Sequence, residues 1–338
     1  VLSLRSAALL QVFTAPTIRS LVDRCFTRKG TYVHVAIMLE GQDGLNWARW
    51  KRLAQAAEEL GFYALNRSDH FSNASGEYKD ALEIWTSFSY LATATKRIRF
   101  GALVSPVSFR NPVIAAWTAT AINDLSGGRF HLGLGAGWQD REHTNFDFPL
   151  LETVPERMQR LEEALQVVNK LIQSDEPFDF SGTYYNLHDA LMRPRPEVKA
   201  GPTIVVGGNG PKRTIPMATK YANEWNAVYL DPEGFKGRVE LIEGLLAQEG
   251  RDPATFGRSL MTRVVIGETE ADAIAKLNGA DVEALRARGV VIGDPDQVAA
   301  GLNAYKEAGV QRLDAQWLDM DDIAGLELIA AKVFPQIG

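Results

Sequence analysis

From residue 31 onward the sequence keeps one alternation: a short apolar run, a turn, then a longer stretch whose apolar residues recur every three or four positions. Short buried strands alternating with amphipathic helices are the mark of repeated βα units on a parallel sheet. The strand-like runs are residues 32–39, 62–66, 98–104, 130–136, 203–207, 224–229, 260–266 and 312–318. Helical patterns fall between them at 47–60, 81–95, 112–125, 155–172, 211–221, 234–249 and 295–308, and one at 323–333 follows the eighth run. Gly61 and Gly309 stand where a left-handed residue would end the helix before them. Eight such units count out a (β/α)8 TIM barrel, whose usual size is about 250 residues before insertions. An open doubly wound sheet usually stops at about six strands and matches less well. One connection, 174–202, is too long for a plain loop. Its aromatic, proline-rich composition and its Ser181-Gly182-Thr183 turn predict an insertion with a small hairpin between the fourth helix and the fifth strand.

The 338 residues are 46% hydrophobic and 23% charged, an ordinary globular composition. We read residues 31–338 as one domain and residues 1–30, with Arg5, Arg19, Arg24, Arg28 and Lys29 against Asp23 alone, as an irregular basic extension. A net charge of −6 argues against a broad cationic surface for nucleic acid or anionic membrane, which leaves a small molecule as the expected partner. No stretch is long enough to span a bilayer. Cys25, the one cysteine, excludes intramolecular disulfides and fits a reducing, cytoplasmic location.

Barrel chemistry is done at the C-terminal ends of the strands, so the residues after each strand are the shortlist. After strand two come Ser68-Asp69-His70-Phe71, after strand three the stretch 105–110, after strand four Gly135-Ala136-Gly137-Trp138, and after strand five Gly207-Gly208-Asn209-Gly210-Pro211. His70 is the acid/base candidate, because imidazole titrates near neutrality, and Asp69 beside it can orient a ligand group. The bland reading of the same pair is a structural Asp-His turn. His34 and His131 lie within strands and read as core, while Glu142 and His143, at a helix start past strand four, are secondary candidates.

Two glycine-rich stretches differ in meaning. "SGGRFHLGLGAGW", 126–138, is not a dinucleotide fingerprint, since Gly133 and Gly135 demand a third glycine at the position of Trp138. "GGNGPKRT", 207–214, leads into a helix expected to start at Pro211, with Lys212 and Arg213 beside it, and is a candidate anion site. A flexible loop is its bland alternative. No metal site is expected: the histidines are scattered, H-E-x-x-H is absent, and the carboxylates of 140–143 look like a solvated helix start. No G-x-S-x-G elbow occurs either. One imidazole and a phosphate turn point to an enzyme whose cofactor brings the chemistry.

In order and spacing, "RSDHF" (67–71), "LVSPVSFRNP" (103–112), "DLSGGRFHLGLGAGW" (124–138), "REH" (141–143), "ERMQRLEEAL" (156–165), "SGTYYNL" (181–187), "VGGNGPKRT" (206–214) and "YANEWNA" (221–227) resemble the luciferase-like monooxygenase superfamily. Within it, the chain is similar to oxidoreductases that use coenzyme F420, a 5-deazaflavin. The resemblance covers residues 31–335. It implies a barrel of the bacterial-luciferase type, a homodimer, no metal, and hydride transfer between F420 and a small organic substrate. It makes His70 the proton donor or stabiliser, with Asp69, near the deazaflavin. Val104, Ser105 and Pro106 match a bulge that supports the ring and holds a cis non-prolyl peptide in relatives. Gly135, Ala136 and Gly137 match the pocket lining, as close-approach positions, and Gly207, Gly208, Asn209 and Gly210 the phosphate-binding turn. The same fold serves FMN monooxygenases that use oxygen, which is the alternative, and a non-catalytic flavin or deazaflavin binder is a further one. Phe146-Asp147 stands where the family often has Phe-Gly, a departure on the substrate side.

Overall fold

A computed structural model describes residues 32–337; the basic extension and Cys25 lie outside them. The barrel strands are β1 (His34–Leu39), β2 (Ala64–Arg67), β3 (Arg99–Ala102), β4 (Phe130–Gly135), β5 (Thr203–Gly207), β6 (Glu224–Val228), β7 (Gly257–Ile266) and β8 (Arg312–Gln316). Each pairs in parallel with the next, and β8 pairs with β1, so the sheet closes into an eight-stranded barrel. Outside it run α1 (Trp47–Leu60), α2 (Ile84–Ala94), α3 (Pro112–Leu125), α4 (Val154–Gln173), α5 (Thr214–Tyr221), α6 (Pro232–Gln248), α7 (Pro295–Glu307) and α8 (Ile323–Leu328). The α1 pattern explains its place: Trp50, Leu53, Ala54 and Ala57 recur at helical spacing and are buried, Asn46 caps the first turn, and Gly61 ends the helix at φ +89.

Arginines stop four of these helices. Arg97 donates to the carbonyls of Ala57, Glu58 and Phe62 after α1, Arg195 to those of Leu171 and Ile172 on α4, and Arg251 to those of Thr219 and Ala222 on α5. Arg129 does the same for α2, reaching the carbonyls of Ala92, Thr95 and Ile98 at 2.7–3.0 Å. Each guanidinium satisfies carbonyls that a helix end leaves open and places a cation at the negative end of the helix dipole. Arg129→Ala is therefore expected to cost about 1–3 kcal/mol, since several part-buried acceptors lose their donor. A lower urea midpoint at unchanged slope is the readout; an unmoved midpoint would mean that water replaces the guanidinium at no cost.

The hairpin Phe178–Ser181 with Asn186–Ala190 is antiparallel and fills the connection between α4 and β5. The span between β7 and α7 also holds structure where the sequence reading had none: helices Glu270–Ala275 and Val282–Ala287, and Val291–Gly293 as a parallel strand paired with Val264–Ile266 at the end of β7. Six-residue helices are too short to show a periodicity, and Ala273, with Leu277 just past the first helix, buries in a small separate cluster with Val265, Val290 and Ile292. Residues 211–213 form a turn, so α5 begins at Thr214 and not at Pro211.

Candidate active site

The C-terminal ends of β2, β3, β4 and β5 form one continuous arc. After Ala102 the chain steps out of β3 through Leu103 and Val104, joined by a cis peptide bond, and Ser105–Pro106 resumes pairing alongside Leu134 and Gly135 of β4. Three glycines make room for this step. A Cβ on Gly133 would run into the Ala102 carbonyl, one on Gly135 would lie 2.6 Å from Val104 Cγ2, and one on Gly207 would lie 3.0 Å from Val104 Cγ1. Gly133 and Gly135 thus approach the Val104 bulge closely, and Val104 presents the surface at the mouth. Around it Met38, Leu103, Val205 and Met261, from different sides of the barrel, meet Val228 and Tyr229 in an apolar floor.

Asp69 and His70, adjacent in sequence just past β2, face different partners. Asp69 accepts from Ser105 Oγ at 2.6 Å and pairs with Arg110, which also reaches Glu83 at 3.2 Å. The Asp69–Ser105 bond ties the end of β2 to the bulge. His70 Nδ1 lies 2.6 Å from Glu142 Oε1, and the Phe71 amide donates to Glu142 Oε2 at 2.8 Å. Glu142 is fully buried in the short helix Asp140–Asn145, which corrects the reading of a solvated helix start for this carboxylate, while Asp140 is exposed as that reading has it. The helix is held by His143, whose Nδ1 faces the Gln139 carbonyl at 2.6 Å and whose Nε2 faces Ser108 Oγ at 2.7 Å. A carbonyl only accepts, so Nδ1 of His143 carries a proton.

Burial opposes protonation of His70, but the hydrogen bond and charge of Glu142, with Glu40 and Asp69 behind it, outweigh burial and raise its pKa above 6.5. A raised folded pKa means that the pair stabilises the fold below the unfolded pKa and that this contribution is lost as pH rises through the folded one. Because Glu142 takes Nδ1, Nε2 is the ring atom left to meet a ligand. Glu142→Gln removes the charge while keeping the shape, so the His70 midpoint is expected to fall. An NMR titration of the imidazole reads it; an unchanged midpoint would assign the shift to Glu40 and Asp69.

Across the mouth stands a polar row that the sequence reading did not single out. Glu40 accepts from Gln316 Nε2 at 2.6 Å and from Gln42 Nε2 at 3.0 Å, Gln42 accepts from Ser68 Oγ at 2.7 Å, and the Tyr229 hydroxyl donates to Gln316. The strand-end rule points to Glu40 and Tyr229 once it is applied to β1 and β6.

The β5 loop is anchored rather than loose. Asn209 exchanges two hydrogen bonds with the backbone of Val228, at 2.6 and 3.0 Å, and Trp225 Nε1 donates to the Gly208 carbonyl at 2.7 Å. Gly208 has φ +121, a conformation open to glycine. Of the eight barrel helices only α5 begins with no side-chain cap; Arg213 stands at its N-cap without bonding the first turn. His131 lies fully buried in β4 and is kept neutral by that burial, with the charge of Arg312 acting in the same direction, while His34 stacks on Tyr63 at 4.2 Å. Among the described residues no helix is long and apolar enough to cross a membrane.

A family model for luciferase-like monooxygenases matches residues 27–289. Over 320 residues the chain is 29% identical to the F420-dependent glucose-6-phosphate dehydrogenase of Kineococcus radiotolerans, covering 83% of this chain and 90% of that protein. It is 32% identical over 298 residues to the pyrimidine monooxygenase RutA of a Bradyrhizobium species, covering 85% and 80%. The fold matches that of an F420-dependent secondary alcohol dehydrogenase solved with an F420–acetone adduct, with a TM-score of 0.77 over 91% of this chain and 99% of that one, at 18% identity. With its closed parallel barrel and its match over most of the sequence, the chain is an enzyme of the luciferase-like monooxygenase family.

Proposed function

We propose that the protein is an oxidoreductase that moves a hydride between coenzyme F420 and a small organic substrate. The observation that carries this is the His70–Glu142 pair, which leaves Nε2 as the free proton-handling atom at the barrel mouth. The residues present suit a flat ring with an anionic tail. Val104, cradled by Gly133, Gly135 and Gly207, offers an apolar support, and the uncapped start of α5 behind Gly207–Gly210 offers backbone donors to an anion. In this reading Asp69, Val104, Ser105, Gly135, Ala136 and Gly137 hold the ring, and His70 stands beside it as the proton-handling group. Gly207, Gly208, Asn209 and Gly210 form the phosphate turn, with the Asn209 side chain fixing the loop and the Gly208 amide turned back to the Asn226 carbonyl. When bound, the deazaflavin supplies a two-electron hydride donor or acceptor.

The chain's own contribution is the proton. Neutral His70 donates Nδ1–H to Glu142 and accepts a substrate O–H proton at Nε2; the imidazolium so formed is stabilised by the buried carboxylate. The likeness to an F420-dependent dehydrogenase supports this cofactor, while the likeness to a monooxygenase supports a second reading, FMN with oxygen. Fluorescence titration of the purified protein with F420 and, separately, FMN distinguishes them. Preference for F420 is the expected result; preference for FMN moves the assignment to oxygen chemistry, and binding of neither overturns the cofactor site. The reading includes a homodimer, supported by the exposed Ile114 and Leu125 on α3 and tested by sedimentation equilibrium.

A further inference from the structure

The mouth of the barrel carries an aromatic surface that packing of the fold does not require. Trp138 is 62% exposed, although its indole stands edge-on to His70 with ring centroids 5.7 Å apart and 79° between the planes. Gly137 places it there, at φ +83 and with Ser108 Oγ, Leu150 and Pro106 crowding the position a Cβ would take. Phe146, 44% exposed, and Phe148 extend the surface through Phe71, whose ring lies 5.9 and 5.1 Å from theirs. Large apolar rings left open to water beside an acid/base group mark ligand contact.

Geometry limits what the contact is. The His70 side chain is only 14% exposed and its Nδ1 is engaged by Glu142, so a reacting oxygen must come to Nε2. The exposed ring beside that imidazole is Trp138. A carbon bearing the reacting oxygen therefore carries one of its substituents against the indole, while Glu40, Gln316 and the Tyr229 hydroxyl supply a hydrogen-bonded polar row at the same end of the barrel.

We propose that Trp138, extended by Phe146 and Phe148, forms an apolar subsite, and that the substrate is a secondary alcohol or ketone with an aryl or similarly flat apolar group next to the reacting carbon. The reaction rests on the oxidoreductase reading above; the substrate class rests on the aromatic surface. In the oxidative direction the carbinol C–H bond breaks with its electron pair leaving as hydride to the F420 of that reading. The O–H proton passes to His70 Nε2, and the carbonyl forms.

The test uses Trp138→Ala and Trp138→Phe in the full chain. Trp138 is largely exposed, so both variants are expected to melt with the parent. Acetophenone binding to the cofactor-free protein, followed by calorimetry, should weaken about 10–100-fold in Trp138→Ala and recover in Trp138→Phe. With F420 present, KM for 1-phenylethanol should rise by a similar factor while kcat changes little, and the effect on 2-propanol should be about tenfold smaller. Equal losses for both alcohols, or unchanged acetophenone binding, would overturn the proposal. A fall in F420 affinity instead would place Trp138 against the cofactor and also overturn it. If the parent binds no F420, the oxidoreductase reading fails on its own, and acetophenone binding still decides the subsite.

Discussion

Asparagine in place of His70 is expected to lower turnover by about 10²–10⁴-fold, the usual worth of one positioned acid/base group. The choice of asparagine matters. Glu142 is fully buried and accepts from both His70 Nδ1 and the Phe71 amide. Removing the donor outright would leave a buried charge short of partners and would confuse a folding defect with a chemical one. The Asn amide nitrogen sits near the place of Nδ1 and keeps that bond, while Nε2 is lost. Cofactor affinity should therefore survive and the rate should not. Fluorescence titration and the steady-state rate, measured together, decide the matter. Full retention of rate in His70→Asn would remove Nε2 from the mechanism. Binding without turnover in both proteins would make the chain a non-catalytic binder. For the parent, oxidation needs neutral His70, so its rate should rise with pH through a midpoint above 6.5, while reduction should fall through the same midpoint.

The barrel was legible because short runs rich in apolar residues alternate with longer periodic ones. The run Thr203–Gly207 and the helices Trp47–Leu60 and Pro112–Leu125 match the predicted limits, since Asn46 and Asn111 cap their starts and Gly61 and the Ser126-Gly127 turn end them. The 267–294 span was not legible, because its helices are shorter than two turns and owe their place to contacts with β7. At the site, His70 follows from the rule that barrel chemistry lies past the strand ends, but its partner does not. Glu142 is 72 residues away, and only the folded chain shows that "DREH" turns its second carboxylate inward. Asp147 illustrates a local departure with a visible form: it adopts φ +56, a left-handed conformation easy for the glycine that the family resemblance leads one to expect there.

The largest stability effect is expected at Arg312, which sits inside the barrel and far from the mouth in sequence and in role. Its guanidinium donates to both oxygens of Glu224, at 3.0 and 2.7 Å, and through Nε to Asp314 at 3.0 Å. Asn66 and Asn226 complete the ring around Asp314, so residues of β2, β6 and β8 are tied across the interior. Arg312→Met keeps bulk but leaves two carboxylates without their cation, a change worth about 3–5 kcal/mol at neutral pH. Burial raises the Asp314 pKa and Arg312 pulls against that rise. Without the arginine, Asp314 binds a proton more readily, and a protonated acid tolerates burial, so the deficit should shrink as pH is lowered. Urea midpoints of parent and variant at neutral and mildly acidic pH measure both the size and the trend. A deficit below about 1 kcal/mol, or one that does not change with pH, would mean that water enters the barrel and solvates these carboxylates, since only a dry interior makes the unpaired charges costly. A dry interior also predicts that replacing Arg312, Glu224 and Asp314 together by apolar residues of similar volume recovers most of the loss, because the expense lies in the unpaired charge and not in the missing ion pair.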